Sequence, residues 1–205
     1  MSEAELTTLE KIHAAAKAAF MEYGFKSASL RQIVKTAGVT LGAFYGYYNS
    51  KEDLFEALVG EQYDYMLTRY RKAHDDFVKI PEVEQPEHMS EISGDFMTEM
   101  LLYAYEHLDE FKLILCRSEG TRFSGMTDEM VEIEVKATHE YQEVLKKLGR
   151  PSPEIDPQLE HILITGMFGT FMELLIHEMP LEQAINYLKE MRAFYTAGWM
   201  KIMGQ

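Results

Sequence analysis

Apolar residues recur every three or four positions over most of this chain, and the pattern begins in residues 6–23. Leu6, Leu9, Ile12, Ala16, Phe20 and Tyr23 carry it there, with mostly polar or small residues between them. Because an α-helix repeats every 3.6 residues, these six side chains share one face and predict an amphipathic helix. Gly24 follows the last apolar position, and glycine is a common residue at a helix end. We therefore expect the first helix to end at Gly24.

Two shorter apolar patterns follow, one on each side of Gly38. The first comprises Leu30, Ile33, Val34 and Ala37, and the second comprises Leu41, Phe44 and Tyr48, which we expect to face inward. Ser27 or Ser29 is a candidate N-cap for one helix and Thr40 for the next, which should run to about Tyr47. Glycine can adopt the left-handed backbone of a tight turn, so this order predicts a helix–turn–helix unit. Its outer face would carry Thr40, Gly42, Ala43, Tyr45 and Tyr47.

The rest of the chain also predicts helices. Asn49 and Ser50 precede a long amphipathic pattern that extends to about Val78, and prolines and Gly94 predict a break over residues 79–95. Further helices are predicted over about residues 94–107, 109–119, 127–148, 157–178 and 180–203. We find no convincing strand alternation, so the fold class is all-α with about nine helices. A three-helix domain, residues 1–50, is joined without a flexible linker to a larger helical domain, residues 51–205.

Charge separates one short segment from the rest of the sequence. The chain carries a formal net charge of -14, yet residues 24–51 contain Lys26, Arg31, Lys35 and Lys51 and no acid. A confined basic segment in an acidic protein indicates a local contact with a polyanion, because phosphate binding needs cations on one surface.

Several functional classes find no support in the sequence. A single cysteine, Cys116, cannot form an internal disulfide, which fits a reducing cytoplasm. No apolar run approaches the roughly 20 residues of a membrane span, and the acidic N-terminus is unlike a signal peptide. Glu-x-x-His occurs once, at Glu10 and His13, and no zinc-protease, hydrolase or phosphate-loop motif is present. We expect no catalytic residues, no metal and no cofactor.

The segment SLRQIVKTAGVTLGAFYGYYNSKEDLF resembles the DNA-binding region of TetR-type transcriptional repressors. The matching positions are Ser29, Ile33, Val34, Ala37, Gly38, Val39, Thr40, Gly42, Tyr45, Tyr47, Tyr48, Ser50, Lys51, Glu52 and Leu54. Thr40, Val34 and Tyr48 stand where Ser, Ala and Phe are commoner in that family. The resemblance covers about a quarter of the chain.

The resemblance implies a homodimer whose third helix enters the major groove of operator DNA. By position, Arg31, Thr40, Leu41, Gly42 and Ala43 would lie nearest base edges, and Ser29, Tyr45, Tyr47 and Lys51 would hold phosphates. Arg31 is the one side chain of this set able to make a bidentate contact with guanine, and Ala43 can meet a thymine methyl. Each residue alone has a plainer reading as a surface charge or a core aromatic.

The acidic remainder would dimerise and bind an effector. We expect the dimer to form through residues 157–203, because the 157–178 helix is apolar on more than one face, although a buried helix would look the same. Twelve of the 14 methionines lie from Met66 onward, which suits an adaptable apolar pocket or ordinary core. We predict a small, largely apolar effector that contacts Phe96, Met100, Tyr103, Glu119, Tyr141, Met167 and Phe171.

The sequence therefore predicts a cytoplasmic transcriptional regulator, most simply a repressor that a small molecule releases from its operator. Three alternatives stay open: a regulator of the same fold without an effector, a helical protein-interaction module, and a helical enzyme with a polar site around Glu119.

Overall fold

The computed structural model describes residues 7–205, apart from the side chains of Ser90 and Glu91, so Leu6 of the first predicted helix lies outside it. The described residues form nine α-helices and one short 3₁₀ turn, Arg122–Gly125, with no strand. The helices are α1 Thr8–Ser27, α2 Leu30–Thr36, α3 Leu41–Tyr45, α4 Lys51–Val78, α5 Gln85–Glu106, α6 Leu108–Arg117, α7 Met126–Lys147, α8 Pro157–Ile176 and α9 Leu181–Ile202. The predicted all-α class is confirmed.

Both ends of α1 have a local cause. Thr7 and Glu10 form a capping box in which the Thr7 side chain accepts from the Glu10 backbone and the Glu10 carboxylate accepts from Thr7. Gly24 leaves the helical conformation, with φ 73° and ψ 161°, and one more turn continues to Ser27. The predicted end of α1 at Gly24 was therefore wrong by one turn: Gly24 kinks the helix, which ends at Ser27.

The turn between α2 and α3 also forms as expected. Gly38 has φ 68°, and the Thr40 hydroxyl accepts a hydrogen bond from the Ala43 backbone at 3.1 Å, which caps α3. Two expectations were wrong. α3 ends at Tyr45, two residues early, and Leu41 is 41% exposed instead of facing inward. Phe44, which is fully buried, holds this short helix in place.

The predicted break over residues 79–95 is too long, because α5 already begins at Gln85. Pro86 lies in the first turn of α5, where a missing backbone N–H costs nothing. Gly94 lies within α5 at a position where a Cβ atom would come within 1.6 Å of the Arg192 guanidinium. Of the residues that suggested a loop, Pro86 and Gly94 therefore lie inside a helix, and Pro81 lies before it.

The chain separates into two compact units. The N-terminal unit comprises the residues up to Asp64 together with Asp109–Ser124, and the C-terminal unit comprises Tyr65–Leu108 and Gly125–Gln205. α4 is continuous through Asp64 and Tyr65, so it contributes to both. The domain boundary that we predict after residue 50 stays a prediction.

Four aromatic rings form the centre of the N-terminal unit. The Phe55 ring of α4 lies 5.0 Å from Phe20, 5.3 Å from Phe25 and 5.7 Å from Phe123, measured between ring centroids. Phe20 and Phe55 are fully buried. This four-ring cluster, Phe20, Phe25, Phe55 and Phe123, fixes α4 against both parts of α1.

In the C-terminal unit, α7 packs on α8, and α9 packs on α5 and α8. α8 is long and apolar enough to cross a membrane by length and composition, with a mean hydropathy of 1.4 and 39% of its most apolar window buried. The expectation that no segment reaches this length was therefore wrong for α8. A helix of a protein core or a subunit interface has the same composition.

We expect Phe55→Ala to lower the free energy of unfolding by about 3–5 kcal/mol, because it leaves a cavity among three other rings. Urea denaturation followed by circular dichroism would measure it. Tyr23→Ala, which removes an exposed aromatic of the same unit, is the matched control and should change stability by less than about 0.5 kcal/mol. Equal effects of the two substitutions would contradict the role of the cluster.

Candidate functional site

The helix–turn–helix unit presents a continuous set of accessible residues. Of the nine candidates predicted from the sequence, all except Ala43 and Lys51 are exposed, and those two are half-buried. The candidates are Ser29, Arg31, Thr40, Leu41, Gly42, Ala43, Tyr45, Tyr47 and Lys51. The structure therefore leaves this surface open, while the contact of each residue with DNA stays a prediction.

The side chains on the outer face of α3 are small and project little from the helix. Gly42 and Ala43 lie in its first turn, and a Cβ atom added at Gly42 would meet only the Thr40 hydroxyl within 4 Å, at 3.8 Å. Leu41 stands beside them as the one large apolar side chain of that turn. A helix with such a face can approach the edges of base pairs closely, and alkyl groups can meet a thymine methyl.

Two tyrosines flank α3 with their rings in solvent. Tyr45 is 56% exposed and Tyr47 is 51% exposed. Tyr48 behaves differently, since its hydroxyl lies 2.5 Å from His13 Nε2 and its ring packs on Phe44. Burial lowers the pKa of His13, which favours a neutral imidazole beside that hydroxyl. Tyr48 is thus half-buried and faces inward, as the apolar pattern indicates.

The four basic residues of the segment 24–51 have different partners. Lys26 forms an ion pair with Glu119 at 2.9 Å. Lys51 Nζ donates to the backbone carbonyls of Phe25 and Ala28, at 2.7 and 3.1 Å. Among the described residues, Arg31 and Lys35 form no ion pair or hydrogen bond through their side chains, and both are exposed. Two cations, not four, are therefore available to an incoming polyanion.

The Lys51 ammonium closes the C-terminal end of α1. It also lies 4.4 Å from the centroid of the Phe25 ring, within the range of a cation–π contact. Next to it, the Asp53 carboxylate accepts from the Ser50 hydroxyl and from Asn49. These hydrogen bonds hold the pKa of Asp53 below its ordinary value and fix the start of α4. Lys51 thus joins two helices in addition to its predicted role with phosphate.

A second candidate site lies wholly within the C-terminal unit. It is a cavity of about 650 Å³ among α4, α5, α7, α8 and α9. Drug-sized molecules occupy cavities of about 300–1,000 Å³. Five of the seven residues predicted for the ligand line it: Phe96, Met100, Tyr141, Met167 and Phe171.

The other two predicted ligand residues have different surroundings. The Tyr103 ring stacks on Tyr65 with 3.9 Å between centroids and is not part of the cavity wall. Glu119 pairs with Lys26 in the N-terminal unit, where its side chain is 79% exposed. Whether any of the seven binds a ligand stays a prediction.

One half-buried carboxylate in the cavity wall was not expected from the sequence. Glu134 of α7 accepts a short hydrogen bond from the Tyr70 hydroxyl and lies 3.2 Å from His74 Nε2. Burial raises the pKa of Glu134, but His74 and the Tyr70 hydroxyl outweigh that effect and bring the pKa below its ordinary value. Burial and Glu134 together raise the pKa of Tyr70 far above the usual range.

The sequence does contain a signal for this group. On α7, Glu134 falls on the apolar stripe between Met130 and Thr138, at the same four-residue spacing. An acid at a core position of an amphipathic helix needs a buried partner.

The surface of α8 and α9 carries exposed apolar residues at helical spacing. On α8 these are Leu159 and Ile162, followed along the same stripe by Gly166 and Gly169, and on α9 they include Tyr187 and Phe194. Ile162 is 63% exposed and Phe194 is 73% exposed. A stripe of this kind is typical of a surface that another protein surface covers. It lies within residues 157–203, the range predicted for dimerisation.

Among the side chains that the structure describes, no group of three or more His, Cys, Asp and Glu is arranged to hold a metal ion.

The helix–turn–helix unit of this chain is similar in sequence to known bacterial regulators. Residues 12–58 match the family model of bacterial regulatory proteins, tetR family. Over 65 residues the chain is 35% identical to the HTH-type transcriptional regulator UidR of Escherichia coli K12. The aligned segment covers 32% of this chain and 33% of that protein. The chain thus spans about a third of the length of the curated relatives it matches.

Solved structures extend the likeness to the whole fold. A TetR-family regulator from Rhodococcus RHA1 has a TM-score of 0.57 at 17% identity, over 92% of this chain and 97% of that one. A TetR-family member from Streptomyces coelicolor A3 has a TM-score of 0.56 at 15% identity, over 95% and 92% of the two chains. At these identities the likeness concerns the fold alone.

We expect Lys51→Met to lower the free energy of unfolding by roughly 1.5–3 kcal/mol, because two backbone carbonyls lose a charged donor. Lys35→Met is the matched control, since Lys35 is exposed and has no such partner. Urea denaturation would compare them. A Lys51→Met protein as stable as the control would contradict the structural role of Lys51.

Proposed function

We propose that this chain, which belongs to the TetR family of bacterial transcriptional regulators, is a homodimeric, cytoplasmic repressor released from operator DNA by a small, largely apolar effector. The observation that carries the proposal is the open face of α3, where Thr40, Leu41, Gly42 and Ala43 stand on a helix held by the buried Phe44. The family match over residues 12–58 covers the same unit.

In this proposal, α3 lies in the major groove and reads base edges with few polar groups. Arg31 makes the strongest base contact, because its guanidinium can bind guanine through two hydrogen bonds. Ser29, Tyr45 and Tyr47 offer hydroxyls to phosphates, which sets the register of the helix without reading sequence. Lys51 holds a phosphate only if one of its three donors turns from the carbonyls that it now caps.

Dimerisation uses the exposed stripe of α8 and α9. Gly166 and Gly169 lower the surface of α8 and permit a close crossing with the same helix of a second copy. A two-fold axis through this stripe presents two reading helices to a palindromic site, whose half-sites lie about 34–36 Å apart per turn of DNA.

The effector occupies the cavity in the C-terminal unit. α4 supports a link between the two functions, because its first half belongs to the N-terminal unit and its second half, including Tyr70, His74 and Phe77, lines the cavity. A ligand that shifts α4 changes the distance between the reading helices. Linkage then requires operator DNA to weaken ligand binding by the same factor.

Binding of the purified protein to DNA from its own promoter, followed by fluorescence anisotropy over a range of salt, tests the proposal. With Lys35 as the phosphate contact in each of two protomers, we expect log K to fall against log salt with a slope of roughly -2. Arg31→Ala should lose about 1–3 kcal/mol of discrimination at one base position. Lys35→Ala, the matched control, should lower affinity evenly across sequences and reduce the slope. Binding that is insensitive to salt and to sequence would contradict the DNA-binding role.

We expect Ile162→Arg to convert the dimer into monomers, because it places two like charges at the centre of an apolar contact. Sedimentation velocity measures the change directly. Leu102→Arg on α5 is the matched control, since Leu102 is also an exposed apolar residue but lies outside residues 157–203. A dimer that survives Ile162→Arg would place the interface elsewhere.

A further inference from the structure

The half-buried carboxylate of Glu134 in the cavity wall indicates what kind of molecule the cavity takes. It is held from two sides through one oxygen, because the short bond from the Tyr70 hydroxyl and the 3.2 Å approach of His74 Nε2 both involve Oε2. His74 Nε2 is buried and not aligned for a hydrogen bond. Among the described residues, no protein group donates to the other oxygen, Oε1. Half of the carboxylate is therefore available to a bound molecule.

No permanent positive charge of the protein balances Glu134. Tyr70 is neutral, and among residues 7–205 neither a Lys nor an Arg forms an ion pair with this carboxylate. The lowered pKa of Glu134 keeps the group ionised. The imidazole of His74 is the ion-pair partner of this carboxylate, through Oε2. A cation placed against Oε1 would add a charge-assisted hydrogen bond to the ionised group.

The other charges of the cavity wall do not reverse this sign. The wall contains the acids Glu82, Glu134, Glu140 and Glu143 and the basic residues His74, Lys147 and Arg192. Lys147 is paired with Glu82 at 2.7 Å, and Glu143 is paired with Lys146. The Arg192 guanidinium lies against the backbone of α5 at Gly94. The wall thus has four acids against three basic residues, of which Lys and Arg account for two.

Aromatic rings cluster around Tyr70, whose hydroxyl donates to the carboxylate. The Tyr70 ring lies 5.6 Å from Phe96 and 5.6 Å from Phe168, and His74 lies 4.8 Å from Tyr70. Ring faces attract cations, and the attraction grows when water is excluded. The remaining wall is largely methionine and aliphatic, including Met97, Met100 and Met130, which adapts to alkyl groups of varied shape.

We propose that the effector is a lipophilic organic cation: an apolar body fills the cavity, and a protonated amine donates to Glu134 Oε1 among Tyr70, Phe96 and Phe168. The inference rests on the proposed function, because it names the chemical class of the effector of that site. Glu134 is then the residue that sets the charge preference, and the methionine wall accepts a range of apolar bodies.

A series of probes with one tail and three head groups tests the charge preference. Isothermal titration calorimetry of the full-length protein would compare decylamine, 1-decanol and decanoate below the concentrations at which they form micelles. We expect decylamine to bind roughly 10- to 100-fold more tightly than the other two probes, because a hydrogen bond to an ionised group increases affinity by about that factor. Equal binding of decylamine and decanol, or tightest binding of decanoate, would overturn the inference.

Two variants assign the preference to one carboxylate. Glu134→Gln keeps the shape and the hydrogen bond from Tyr70 but removes the charge, so the advantage of decylamine should disappear while decanol binds as before. If the Glu134→Gln variant binds decanol as tightly as the unaltered protein does, its cavity is intact. Glu132→Gln is the matched control, because Glu132 is exposed on the same helix and does not line this cavity. A preference that persists in Glu134→Gln would also overturn the inference.

The outcomes separate this inference from the proposed function. Binding of all three probes with equal affinity, together with loss of operator binding when they are present, refutes the cationic effector and leaves the ligand-released repressor standing. Failure of all three to bind refutes both the cationic effector and the use of the cavity as an effector site.

Discussion

The N-terminal unit depends on the packing of Phe55 against Phe20, Phe25 and Phe123. These rings join three parts of the chain that are distant in sequence: the end of α1, the start of α4 and the turn after α6. Because Gly24 bends α1 just before Phe25, that ring reaches the cluster and also lies beneath the Lys51 ammonium. The start of α4 is therefore fixed by packing, by capping and by a cation–π contact at one point.

This anchoring explains how a helix as short as α3 can present a functional face. An isolated helix of five residues is not stable in water, since too few hydrogen bonds offset the cost of nucleation. Here the buried Phe44, the Thr40 cap and the fixed start of α4 hold both of its ends. The outer side chains then need not contribute to stability, and they can be small or polar as readout of DNA requires.

In the C-terminal unit, the cavity wall consists largely of flexible side chains that can adapt to different ligands. Its cavity wall is rich in methionine, whose unbranched side chain fits irregular space. Within this wall, Tyr70, His74 and Glu134 form a polar cluster with defined contacts. For the effector that we propose, the fixed carboxylate of Glu134 would discriminate between ligand head groups. The adaptable methionine wall would accept apolar tails of varied shape.

Sequence alone determined the features that depend on near neighbours. The 3.6-residue apolar repeat located the helices, and Gly24, Gly38 and Thr40 marked ends and turns, because glycine backbones and cap hydroxyls act within a few residues. Five of seven predicted ligand residues also reached the cavity, since apolar positions on facing helices tend to meet. The predicted break over residues 79–95 was too long because proline and glycine are read as loop residues when only the sequence is known. The structure places the proline in the first turn of α5 and the glycine against Arg192.

Tertiary structure decided the partners of charged groups. Lys26 and Lys51 belong to a basic segment in the sequence, but one meets Glu119 and the other meets the carbonyls of Phe25 and Ala28. Glu134 looked like one acid among many until Tyr70, 64 residues away, was placed beside it. A charge acts on whatever lies within a few ångströms, and for these residues the fold alone sets that neighbourhood.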